Sequence, residues 1–293
     1  MTLETALLMV TICLVVVLAL VAAIHVSFRA PRRTNDITPD SFGLFAQACA
    51  IADIRGGRLS GWWLPARPGA SYPDTTVVLM HGWGANKSDL LPLANPFHAA
   101  GYCILMLDAH NHGDSDARGV SSMPKFAEDV QAALDWLQQQ HPDESRRRIL
   151  VGHSVGAAAV LLAAARGAEV DAVVAMASFV HPKRMMKRHL HRLRFLPGLV
   201  NLIAAYVQWV IGHRFDDIAP ITSLKRIQVP VLLVHGDADR VIPIEDHQAL
   251  CQAAPNSVKC LSVPGADHDS IERIEAHFGE VQAFLAGPHA TGA

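Results

Sequence analysis

Ser154 lies in the run Arg148-Ile-Leu-Val-Gly152-His153-Ser154-Val155-Gly156, and this arrangement suits a nucleophile. Aliphatic residues of strand character lead into it, and the small residues Ala157 to Ala159 follow, so a strand gives way to a helix at the serine. A turn that tight tolerates no Cβ close to the serine backbone, which explains glycine two positions away on each side. In such a nucleophile elbow the hydroxyl stands clear of the strand end. The free N–H groups of the following helix face any negative charge that develops there.

The five-residue pattern is a weak signal by itself, because small residues at a strand-to-helix turn can serve packing. A serine nucleophile also needs a histidine base, and the base needs a carboxylate to fix its tautomer. Both occur downstream at strand ends. Val229 to Val234 reads as a buried strand that breaks into His235-Gly-Asp237-Ala-Asp239-Arg-Val-Ile-Pro243. Val258 to Val263 reads as another, ending in Pro264-Gly-Ala-Asp267-His268-Asp269. The chain order is Ser, Asp, His.

With these segments in place, the chain resembles the α/β-hydrolase family from roughly Asp53 to Phe284. Two further segments carry the resemblance: His81-Gly82-Trp83-Gly84 after the strand Thr76 to Met80, and Asp108-Ala-His110-Asn-His112-Gly113-Asp114-Ser115 after Tyr102 to Leu107. The resemblance implies an eight-stranded, mostly parallel sheet covered by helices, with the chemistry on loops at the carboxyl ends of the strands. It implies Ser154 as nucleophile, His268 as general base and acid, and Asp239 as the orienting carboxylate. Asp237 competes for that last role; Asp239 fits the family's Gly-x-x-Asp pattern after Gly236. The implied oxyanion hole is the backbone N–H of Trp83 with that of Val155. No cofactor is required by this chemistry.

Some of these residues fit other chemistry as well. His110-x-His112-x-Asp114 has the spacing that opens a zinc motif, but Ser115 stands where that motif continues with histidine, and no metal is expected. Among 16 histidines, His81 and His153 are expected to bond backbone near the turn. The aspartates flanking His268 read as solvated loop charges.

The length of 293 residues fits one such domain with attachments. The hydrophobic share of 51% and mean hydropathy of +0.22 are high for a soluble enzyme. The excess is local: Ala6 to Ile24 carries no charge and reaches about 28 Å as a helix, near a bilayer's hydrocarbon thickness. Residues 1–30 read as an uncleaved single-pass anchor rather than a signal peptide, since Glu4 precedes the apolar run and no Lys or Arg does. Arg29, Arg32 and Arg33 follow it, so the positive-inside rule places the catalytic domain in the cytoplasm. Of the five cysteines, Cys13 lies in this helix, while Cys49, Cys103, Cys251 and Cys260 lack the spacing of a metal site or a secreted disulfide framework, and most of them read as buried thiols.

The remaining organisation is a linker at 31–44, the catalytic domain at 45–286 and a tail at 287–293. A hairpin, Phe45 to Ile54 with Leu59 to Leu64, opens the domain. Helices are expected over Lys125 to Gln140 and Ala157 to Arg166. Between the strand Ala172 to Ser178 and that beginning at Val229, a cap insert at about 181–228 breaks the alternation. It starts basic, with Lys183, Arg184, Lys187, Arg188, Arg192 and Arg194, and turns apolar from Leu196 to Ile211. Two readings of the insert stay open: a cap lying against the bilayer, and a solvated basic helix followed by a buried one. Nucleic acid is not an expected partner, since the net charge is −2 and no stacking aromatics accompany the basic run.

The expected activity is cleavage of a carboxylic ester or thioester with an apolar acyl group, the partners being a lipid-like or small ester and the membrane. A peptidase of the same fold is one alternative; it needs an acidic group to hold a free amine, for which Asp216 and Asp217 are the local candidates. A catalytically silent scaffold is the other.

Overall fold

The computed structural model describes residues 2–193, 195–255 and 257–287. Arg194 of the basic run and residues 288–293 of the expected tail lie outside them. The strands are β1 Gln47–Ala52, β2 Arg58–Leu64, β3 Tyr72–Met80, β4 Tyr102–Leu107, β5 Arg147–His153, β6 Ala172–Met176, β7 Val231–Gly236 and β8 Val258–Val263. They form one sheet in the order β1-β2-β4-β3-β5-β6-β7-β8. Only the pairings of β2, to β1 and to β4, are antiparallel, and β3 through β8 run parallel. The first hairpin strand is shorter than expected, with Asp53 to Gly57 given over to the turn, and the second begins one residue earlier than expected, at Arg58.

The parallel strands are apolar on both faces because both faces are covered. In β4, Cys103, Leu105 and Leu107 enter one core while Tyr102, Ile104 and Met106 enter the other. The first core is closed by α3 Met123–Gln140 and α4 Val155–Ala165, the second by α2 Leu91–Ala100, α10 Ile271–Glu275 and α11 Phe278–Leu285. α4 is buried almost throughout, so its sequence is small and apolar on every side.

The insert between β6 and β7 holds α5 Pro182–His189, α6 Pro197–Ile211, α7 Phe215–Ile218 and α8 Pro220–Ser223. Two of the five described residues of its basic run are committed to the protein itself. Arg188 grips the buried Asp246 of α9 (Ile244–Ala253) with two guanidinium nitrogens, Arg184 approaches the same carboxylate at 3.5 Å, and the amide of Val180 donates to it at 3.1 Å. This pins α5 to the catalytic domain and leaves Lys183, Lys187 and Arg192 exposed.

α1, Leu3–Ser27, has 25 residues and none buried. At 1.5 Å per residue it is roughly 37 Å long, enough to cross the ~30 Å hydrocarbon of a bilayer. Among the described residues it alone is long and apolar enough to do so; a signal sequence would meet the same description.

One expectation is corrected. Cys251 on α9 and Cys260 on β8 form a disulfide, so they are not buried thiols. The two cysteines are 9 residues apart and meet because α9 packs back beside β8. Closing so short a loop contributes about 2–3 kcal/mol through the unfolded chain. Cys13, Cys49 and Cys103 remain free. Thiol titration of the denatured, unreduced protein should therefore find three thiols, rising to five after reduction. Five before reduction would contradict the bridge.

Candidate active site

β5 delivers Ser154 into a conformation that few residues adopt, with φ 56° and ψ −119°. Such strain persists only where the surroundings impose it. Here they do so by proximity: a Cβ on Gly152 would come within 2.4 Å of the Gly156 carbonyl oxygen, and one on Gly156 within 2.3 Å of that of Met80. Both glycines are thus required by the close passage of β3 and α4. The serine side chain emerges at the carboxyl end of the central strands.

His268 reaches Ser154 from the loop after β8, with its Nε2 at 3.0 Å from the serine Oγ. Its Nδ1 lies 2.7 Å from Oδ2 of Asp239. The other oxygen of Asp239 accepts from the amides of Val241 and Ile242, each at 2.8 Å, so this carboxylate is held by the turn that carries it. Burial acts to raise the Asp239 carboxyl; hydrogen bonds from His268 and Ile242 and the nearby imidazoles outweigh it and hold the group below its ordinary value. It therefore stays an anion at neutral pH and can orient an imidazole and stabilise its cation.

Asp237, the competing acid, points elsewhere. Its Oδ1 accepts from the amide of Gly265 at 2.6 Å, tying the loop after β7 to the one that carries His268. Val155 follows Ser154 directly, and Trp83 follows Gly82, where an added Cβ would lie 3.1 Å from that of Ser154; both residues line the same cavity as the serine, and among the described residues neither backbone N–H meets a protein acceptor. Two free amides beside a serine hydroxyl are suited to hold an oxyanion.

The neighbouring histidines are structural. His81 accepts at Nε2 from the amide of Ala109 at 3.0 Å and donates from Nδ1 to the Gly82 carbonyl at 2.7 Å. His153 donates from Nε2 to the carbonyl of His268 at 2.8 Å, so it braces the backbone of the neighbouring loop. Burial, reinforced by the nearby His268, pushes His153 down to about 4, leaving it neutral at physiological pH. His110, His112 and Asp114 do not converge on one point: His110 meets Asp129 at 2.9 Å, His112 the carbonyl of His110 at 3.0 Å, and Asp114 faces Lys87 at 3.3 Å. Asp267 and Asp269 are exposed on the loop.

Two features had no legible signal in the sequence. Lys87, 1% exposed, places its Nζ 2.6 Å from Asp108 and 4.6 Å from the centre of the Trp62 ring. Asp108 also accepts from the Lys87 amide at 2.8 Å, so the ion pair fixes the segment that follows Trp83. The buried pair thus sets the path of a loop needed beside Ser154. The second is the cavity itself, about 1030 Å³, at the upper end of the roughly 300–1,000 Å³ usual for small-molecule sites. Ser154 and His268 form part of its wall, and most of the rest is apolar, including Phe179, Met185, Ile203, Val207 and Phe215. Ile24 and Phe28, at the end of α1 and just beyond it, line it too.

Comparison with known proteins agrees with this architecture. The esterase Pf2001 of Pyrococcus furiosus superposes with a TM-score of 0.71 at 22% identity, covering 88% of this chain and 96% of that one. The uncharacterized protein Rv2307c of Mycobacterium tuberculosis is 28% identical over 223 residues, 75% of this chain and 71% of that protein. Alpha/beta hydrolase domain-containing protein 17C of Xenopus tropicalis is 25% identical over 268 residues, 90% of this chain and 76% of its own length. Residues 71–220, 150 of the 293, match the family described as serine aminopeptidase, S33. With more than half of its length inside that match and the hydrolase sheet around it, the chain belongs to the S33 serine aminopeptidase family of α/β-hydrolases.

Proposed function

We propose that the protein is a membrane-anchored serine hydrolase that cleaves a carboxylic ester or thioester with an apolar acyl group. The observation that carries this reading is the relay from Ser154 to His268 to Asp239 at the wall of a largely apolar cavity. Ser154 Oγ attacks the carbonyl carbon while His268 Nε2 takes its proton, and the Asp239 carboxylate stabilises the imidazolium. The amides of Trp83 and Val155 receive the oxyanion. As the tetrahedral species collapses, His268 returns the proton to the leaving alkoxide or thiolate. Water, activated by the same imidazole, then resolves the acyl-enzyme on Ser154.

A p-nitrophenyl ester series of increasing acyl length, run on the detergent-solubilised protein, tests the reading. Turnover that rises with chain length supports it; absence of turnover across the series sinks it. The peptidase reading has the family description in its favour. It needs a carboxylate facing the cavity to hold a free amine: of the two candidates in the insert, Asp216 is bound to His181 at 3.0 Å and neither it nor Asp217 lines the cavity, whereas Asp89, Asp269 and Glu272 do. Preference for an amino-acid p-nitroanilide over every ester would establish it.

α1 serves as the anchor in this reading, and Arg29, Arg32 and Arg33 after it support a cytoplasmic catalytic domain by the positive-inside rule. The Cys251–Cys260 bridge argues the opposite way, since disulfides persist in oxidising compartments. The arginine flank acts during insertion and is the more direct determinant of topology. A reporter fused after Ala293 should therefore give a cytoplasmic signal, and carbonate washing should leave the protein in the membrane. A signal from the far side would reverse the orientation and agree with the disulfide.

A further inference from the structure

The chain leaves α1 at the cavity, because Ile24, Ser27 and Phe28 form part of the same wall as Ser154 and His268. The inner face of α6 contributes Ile203, Val207 and Ile211 to that cavity. The two elements are joined: His25 Nε2 and Tyr206 Oη are 3.0 Å apart, and their rings meet edge to face with centroids at 6.1 Å.

α6 is apolar on its outer side as well. Leu202 is 65% exposed and Trp209 76%, and Phe195, just ahead of the helix, is 72% exposed. A helix apolar on both sides needs apolar surroundings on both. The protein supplies the inner one. For the outer one, α1 is clasped to α6 through His25, so the exposed face lies beside the point where the apolar helix emerges. Trp209 and Tyr206 stack there with centroids 5.7 Å apart, and such aromatics favour the headgroup level of a bilayer.

Building on the ester-hydrolase reading above, we propose that this cavity is filled from the membrane. A long-chain acyl ester resident in the bilayer enters between the last turn of α1 and α6. Its hydrocarbon chain lies against Phe28, Ile203, Val207 and Ile211, and its carbonyl reaches Ser154. Entry at the membrane surface spares the chain a passage through water, the step whose cost grows with every methylene. The anchor is then part of the binding site, and α6 is the element that measures acyl length.

The test uses the full-length protein with p-nitrophenyl butyrate and p-nitrophenyl palmitate, in phosphatidylcholine vesicles and in detergent micelles. Val207→Trp, which adds bulk to the part of the cavity wall that α6 supplies, should lower the palmitate-to-butyrate ratio of kcat/KM at least tenfold. Leu202→Glu combined with Trp209→Glu should lower the vesicle-to-micelle ratio for palmitate at least tenfold. A fall in the first ratio alone overturns entry from the bilayer, and so does a palmitate loss that is equal in vesicles and micelles. If both ratios stay unmoved in an enzyme that hydrolyses butyrate, the membrane route is wrong and the hydrolase reading stands. Wild-type protein that hydrolyses neither ester defeats the hydrolase reading itself.

Discussion

Ser154→Ala should lower kcat for any accepted ester by about 10⁶-fold, the scale seen when a serine nucleophile is removed from an intact triad. The size of the effect follows from position: Ser154 Oγ is the hydroxyl within 3.0 Å of the His268 imidazole, and it is held there by a strained backbone that the close approach of β3 and α4 imposes. Alanine keeps the backbone and removes only the hydroxyl, so thermal unfolding should be little changed. Measuring kcat and Tm side by side separates loss of chemistry from loss of fold. A variant that folds normally and retains activity within tenfold of wild type would remove Ser154 from the mechanism.

Asp239→Asn should lower kcat by roughly 10⁴-fold, because an asparagine can offer an N–H where His268 Nδ1 needs an acceptor and so favours the wrong tautomer. The amides of Val241 and Ile242 would still bond the side-chain oxygen, so the turn after β7 keeps its shape. The comparison is Asp237→Asn. Among the described residues that side chain bonds only the amide of Gly265, at 2.6 Å, and its loss should cost less than about tenfold by loosening the loop that carries His268. Steady-state kinetics on both variants decide between the two aspartates, and the opposite order would move the acid two residues back along the loop.

The elbow and the order of its partners were legible because each depends on local chemistry. A strand run, two glycines around a serine, and strands ending in acidic and histidine-bearing loops are all patterns within a few residues. The sheet was legible for the same reason, since strands buried on both faces read as unbroken aliphatic runs such as Val77 to Met80. What escaped reading depends on distant pairings. Arg188 and Asp246 are 58 residues apart, and only the fold shows that part of the basic insert is an internal clamp. Cys251 and Cys260 are close in sequence, but whether they bond depends on how α9 packs against β8. Lys87 is a charge in a run that otherwise reads as a polar turn, and its burial against Trp62 and Asp108 has no local signature. The end of α1 reads as anchor; its place in the cavity wall comes from tertiary contact with α6.

The central claim, that Ser154 is a nucleophile activated by His268, is tested most directly by labelling the full-length protein with a fluorophosphonate and mapping the adduct by peptide mass spectrometry. The expected result is a single adduct on Ser154, absent from Ser154→Ala and strongly diminished in His268→Ala. An adduct on a different serine, or ester turnover that persists in protein the probe fails to label, would contradict it.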